Sequence, residues 1–87
     1  MNIRMNEGYI ITDSICIDEA EFVLGVSSTA PSMFVTWKCS DGNNYYWGHY
    51  TTDLLAAKRD LLTRASEELE ILEAKRQPNE PEQEVSR

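Results

Sequence analysis

The stretch Phe34-Val35-Thr36-Trp37-Lys38-Cys39-Ser40-Asp41-Gly42-Asn43-Asn44-Tyr45-Tyr46-Trp47-Gly48-His49-Tyr50 decides the fold. Its two arms are rich in β-branched and aromatic residues, which suit a pleated, half-buried surface. Its centre, Ser40-Asp41-Gly42-Asn43, carries the Gly and Asn that accept the positive φ of tight turns. The stretch therefore reads as a hairpin of strands 33–39 and 44–50. Successive side chains alternate between faces, so Val35, Trp37 and Cys39 share one face and Phe34, Thr36 and Lys38 the other. A two-residue loop puts Trp37 opposite Tyr46 and a three-residue loop puts it opposite Trp47; the sequence leaves both registers open. In either register Val35, Trp37 and Cys39 are expected to face a covering helix, because the other set carries the charge of Lys38. Gly48 marks either a bulge or a place where a ring or the helix lies over bare backbone.

Upstream, residues 9–17 and 21–27 have the same β-branched and aromatic character, with Asp18-Glu19 as a turn and the Ser/Thr/Pro-rich residues 27–32 as a loop. Downstream lies a helix over about 53–76, with Thr51 and Thr52 as cap candidates and a stop at Gln77-Pro78. At 100° per residue, Leu54, Ala57, Leu61, Leu62, Ala65, Leu69 and Leu72 fall on one side, with Leu55 at its margin. The expected fold is α+β: a four-stranded antiparallel meander with one long C-terminal helix packed on one face. Residues 1–76 are expected to form a single domain. Residues 77–87, with two prolines, three glutamates and one aliphatic side chain, are expected to be a disordered acidic tail.

The chain has 87 residues, 41% hydrophobic and 26% charged, with 15 acids against 8 bases and a net charge of -7. That length excludes large catalytic scaffolds, and the charge argues against a phosphate-binding surface, so nucleic acid is an unlikely partner on this reading. No run approaches the roughly 18 apolar residues of a membrane span, and the N-terminus lacks the apolar core of a secretory signal, so a cytoplasmic location is expected. Cys16 and Cys39 read as reduced, half-buried thiols, and with His49 as the single histidine there is no metal-ligand set. Neither a metal nor another cofactor is expected.

The runs 34–39, 41–43 and 45–50 together resemble small uncharacterised proteins of bacteria and their mobile elements. The resemblance implies a bacterial or phage-related origin. It implies no reaction, substrate or binding residue.

Several residues are candidates for function, and none makes a catalytic set. The aromatics from Tyr45 to Tyr50 suggest either core packing, a partner surface at Tyr45, Trp47 and His49, or a single-stranded RNA platform, which the scarcity of cations between residues 1 and 52 disfavours. His49 has no nucleophile at an informative spacing and is expected to hydrogen-bond backbone or a helix-start group such as Asp53. Lys58 falls inside the leucine stripe. Its ammonium is expected either to reach a sheet carboxylate at an edge or to face a partner. A helix of 24 residues is about 36 Å long against strands of about 20 Å, so its last third should overhang the sheet and leave Leu69 and Leu72 to dimerise or dock a partner. The acids Asp13, Asp18, Glu19 and Glu21 form a candidate acidic patch. The functional expectation is a non-catalytic, self-associating interaction protein, with an acidic inhibitor of a nuclease-like groove as the alternative.

Overall fold

A computed structural model describes residues 3–76. Five strands, β1 (Met5–Asn6), β2 (Tyr9–Ile17), β3 (Ala20–Val26), β4 (Phe34–Ser40) and β5 (Asn44–Thr51), form one antiparallel sheet in sequential order, followed by α1 (Leu54–Arg76). The α+β meander with a C-terminal helix is as expected, but the sheet has five strands, not four. Glu7-Gly8, both at positive φ, form a two-residue turn that brings Met5 and Asn6 beside Ile10 and Tyr9. The expected tail, 77–87, lies outside the described residues.

The β4–β5 hairpin closes on Ser40 paired with Asn44, a three-residue loop with Asp41 and Gly42 at positive φ. The register would set Trp37 against Trp47, but β5 contains a bulge there: pairing steps from Lys38–Tyr46 to Thr36–His49. Trp47 takes the left-handed conformation, φ 56°. A second bulge in β2 lies between Ile11 and Asp13. Each extra residue reverses which parity points to which face. Thus Tyr9 and Ile11 look to one side while Ile15 and Ile17 look to the other, and Tyr45 and Tyr50 share a side despite their odd and even numbers.

The two faces carry separate cores. Under α1, Phe22, Leu24, Ala57, Leu61 and Ala65 pack with Ile15, Ile17 and Phe34 around them. On the opposite face Tyr9, Val23, Val35, Trp37 and Cys39 pack with Ile11, Ala30 and Tyr45. The expectation that Val35, Trp37 and Cys39 face the helix is therefore overturned, and α1 covers the Phe34, Thr36 and Lys38 face instead. Lys38 does not prevent this. Its ammonium leaves the core sideways, 3.9 Å from Glu68 and 5.5 Å from the centre of the Trp47 ring.

The Trp37 face is closed by curling of the sheet rather than by a second layer of helix. Tyr9 and Trp37 meet edge to face at 5.5 Å, and Trp37 and Tyr50 at 6.3 Å. The 27–33 loop caps one side: the Ser27 hydroxyl accepts the amides of Thr29 and Ala30, and Tyr9 donates its hydroxyl to the Ser32 carbonyl at 2.6 Å.

α1 begins at Asp53, whose carboxylate accepts the Leu55 amide at 3.1 Å, while the Thr51 hydroxyl accepts the Asp53 amide. Its buried positions are Ala57, Leu61 and Ala65, with Asp60, Arg64, Glu68 and Leu72 half-buried beside them. The packed face is thus rotated away from the expected stripe. Leu54 and Leu62, assigned to the core by periodicity, are exposed, as is Leu69 in the third of the helix expected to overhang the sheet. Small residues at 57 and 65 allow close approach to the sheet, and the polar pair Asp60 and Arg64 is held inside by partners on β4 and β5.

Candidate functional site

Three arrangements on the surface of this fold combine polar and aromatic chemistry. The first lies between β4, β5 and α1. The fully buried hydroxyl of Thr36 donates to Asp60 Oδ2, and His49 Nδ1 lies 2.9 Å from the same oxygen. Arg64 donates to the Thr36 carbonyl at 3.1 Å and to its hydroxyl at 3.0 Å. Burial opposes the charge on Asp60, but the hydrogen bonds from Thr36 and His49 and the nearby cations outweigh it, so its carboxyl titrates below the usual range. Burial draws the Arg64 guanidinium down from its ordinary value against the charges of Asp60 and Glu67.

His49 therefore binds mid-helix Asp60, not the helix-start Asp53. The bulge at Trp47 and Gly48 is what turns His49 towards the helix. It lines a shallow groove of about 260 Å³ with Phe22, Lys38, Trp47 and Arg64. Thr36, the hydroxyl in this network, is sealed in the core and already donates to Asp60, so the network orders the helix on the sheet and holds no free nucleophile.

The second arrangement ties the ends of the curled sheet together. Arg4 donates to both oxygens of Glu21, at 2.7 and 3.2 Å, to the Tyr45 hydroxyl at 3.1 Å and to the Gly42 carbonyl at 3.3 Å. Its guanidinium also stacks 5.6 Å from the Tyr45 ring centre. The Arg4 hydrogen bond holds the Glu21 carboxyl below its usual range, against burial. Ser14 adds a donor to the same carboxylate. Tyr45 is thereby anchored rather than presented.

The third is the flank of α1 above β2. Lys58 reaches Asp13 at 3.2 Å, the sheet-edge carboxylate contact that was one of its two expected positions. Beside it run Leu55, Leu62 and Leu69, seven residues apart, at 77%, 54% and 45% exposure. Beyond Ala65 the helix buries no further side chain completely, and a groove of about 590 Å³ opens between Ile17 on β2 and Leu69 and Leu72.

The residues singled out in the sequence thus fall in different places. Trp47 and His49 share a groove; Lys58, Leu69 and Leu72 share the helix flank; Tyr45 belongs to the Arg4 cluster. Of the four acids, Asp13 and Glu21 are ion-paired within the chain, while Asp18 and Glu19 are exposed at the β2–β3 turn. Sequence reasoning missed Arg4, Asp60 and Arg64, whose partners are 11 to 41 positions away in the chain.

Comparison with protein-family models, curated proteins and solved structures gives no match. Function must therefore be read from this geometry. Among the described residues no group of three or more His, Cys, Asp and Glu side chains converges as a metal site, and no helix is long and apolar enough to cross a membrane. The buried aromatics Tyr9 and Trp37 are enclosed, and the two most exposed, Trp47 and Tyr50, lie on opposite faces, so no continuous row of rings is offered to bases.

Proposed function

We propose that the protein is a non-catalytic interaction module that pairs with a second copy of itself along the exposed flank of α1. The observation that carries this reading is the row Leu55, Leu62 and Leu69. These leucines repeat every seven residues on the side of the helix that its own sheet leaves uncovered. A seven-residue repeat returns to nearly the same side of a helix, so the three form one straight apolar seam, the pattern that helices use to pack on other helices.

The charges beside the seam suit an antiparallel copy. The first half of α1 carries Lys58, Arg59 and Arg64 against Asp60, and the second half carries Glu67, Glu68, Glu70 and Glu73 ahead of Lys75 and Arg76. Packing Leu62 of one copy against Leu69 of the other sets Arg59 level with the turn that bears Glu73. The same contact recurs by the two-fold axis, as a closed dimer requires.

The test is multi-angle light scattering on the full chain and on the Leu62→Glu, Leu69→Glu double variant. Both sites are exposed, so the variant folds. A dimeric parent and a monomeric variant support the reading, whereas equal masses for the two overturn it.

A further inference from the structure

Among the described residues, the edge of β2 beside this helix flank is open. β1 covers β2 only at its start: Met5 and Asn6 pair with Ile10 and Tyr9, and the Ile11 amide donates to the Arg4 carbonyl at 2.9 Å. Thr12 is then the extra residue of the bulge, and from Asp13 to Ile17 the strand pairs regularly with β3 and, among the described residues, with no other strand. The turn that follows, Asp18-Glu19, is a two-residue loop flanked by the pair Ile17 and Ala20. In such a hairpin the flanking pair exchanges its hydrogen bonds, and the pattern alternates from there. Ile17, Ile15 and Asp13 therefore direct their backbone groups into the sheet, and Cys16 and Ser14 direct theirs outward. Counting from the Arg4–Ile11 end across the bulge gives the same assignment.

The other edge is built differently. β5 is broken at its centre by Trp47 in the left-handed conformation, a distortion that spoils a second ladder and protects an edge from pairing. The five regular residues of β2 carry no such device, no proline and no lysine.

We propose that β2 pairs antiparallel with β2 of the second copy, joining the two sheets into one ten-stranded sheet. This rests on the self-association along α1 just described and supplies its geometry. A two-fold axis through the β2 edges and perpendicular to the sheet leaves both helices on the same side, antiparallel, with their leucine flanks turned toward each other. Centring the axis on Ile15 matches the outward groups of Ser14 in one copy with those of Cys16 in the other, so four backbone hydrogen bonds form without rearrangement. The apolar flank and the open edge lie side by side, and the occupant that satisfies both, with Arg59 against Glu73, is the same chain inverted.

The test is amide hydrogen exchange by NMR at Ser14 and Cys16 in the full chain, with the Leu62→Glu, Leu69→Glu variant as the monomeric reference. The expected result is slowing on the order of tenfold or more at those two amides in the parent. A dimeric parent whose Ser14 and Cys16 amides exchange as fast as in the variant overturns the edge pairing while leaving helix-mediated association standing. A parent that is monomeric at every concentration overturns both. A second variant, Cys16→Pro, removes one outward amide without touching the β3 ladder. It is expected to stay folded by tryptophan fluorescence and to weaken dimerisation on the order of tenfold; an unchanged dimerisation constant overturns the proposal.

Discussion

Gly48 sits directly against the indole of Trp37: a methyl group at Gly48 would stand 2.8 Å from Trp37 Nε1 and 2.8 Å from Tyr50 Cε1. The bare backbone is what lets Trp37 and Tyr50 close the inner face of the curled sheet. The Trp37 ring cannot retreat, because it is buried and also packed on Tyr9 and Tyr45. Gly48→Ala is therefore expected to destabilise the fold by about 1–3 kcal/mol, the usual cost of overpacking. Urea denaturation followed by tryptophan fluorescence measures it, and an unchanged midpoint would show that the rings move aside freely.

The Thr36 hydroxyl links Asp60 to Arg64 in the interior, so Thr36→Val leaves two charged groups short of a partner. The expected loss is about 1–2 kcal/mol, since hydrogen bonds to charged groups exceed neutral ones. Valine keeps the shape, so a loss smaller than experimental error would mean that water or a new partner replaces the hydroxyl.

Glu21 gives the fold an acid-sensitive element. Its carboxyl is held below the ordinary value of 4.5 chiefly by the hydrogen bond from Arg4. A folded value depressed in this way contributes stability that is present above the unfolded value and lost as pH falls through the folded one. Asp13, lowered by Thr12 and Lys58, and Asp60 act with the same sign. Parent stability should accordingly fall below about pH 4.5, and Glu21→Gln should be less stable at neutral pH with a shallower acid decline. Parallel stability–pH curves for parent and variant would remove Glu21 from that role.

The two thiols should react very differently. Cys16 is exposed on β2, whereas Cys39 is buried beneath Arg4 and Glu21, and burial followed by the Glu21 charge pushes its thiol up. A disulfide-exchange reagent is expected to titrate one thiol per native chain quickly and the second only in denaturant. Two fast thiols would contradict the burial of Cys39.

Much of this fold was legible in the sequence because local chemistry carried it. The bounds of β2, a loop beginning at Ser27, a tight turn containing Asp41-Gly42 and the extent of α1 follow from propensity, turn residues and helix-stop signals, whereas the length of that turn and the place of Met33 do not. The identity of the face under the helix did not follow, and the reason is physical. Alternation assigns faces by counting, and the bulges at Thr12 and Trp47 each shift the count by one; Gly48 marks the second in the sequence, but nothing in the residue pattern marks the first. Lys38 misled in a second way, since a long side chain at the margin of a packed face escapes sideways. The leucine stripe of α1 was visible by periodicity, but which part of it the sheet covers depended on Asp60 and Arg64 finding partners on Thr36 and His49. The flank that remained uncovered, and the β2 edge beside it, emerged only with the sheet in place.

Trp47 gives a further expectation. A bulky residue in the left-handed region costs on the order of 1–2 kcal/mol, and here the ring is 67% exposed. Its contacts with Lys38 and Tyr46 recover part of that cost. Trp47→Asn should therefore leave thermal unfolding within a few degrees of the parent, since Asn tolerates this conformation. A drop on the order of ten degrees would mean that the ring holds α1 on the sheet.

The most direct measurement is sedimentation equilibrium of the full chain over a dilution series, beside the Leu62→Glu, Leu69→Glu variant. The expected result is a parent mass that rises with concentration to that of two chains, and a variant that stays at one. A parent that remains a single chain at its highest soluble concentration would contradict self-association along α1.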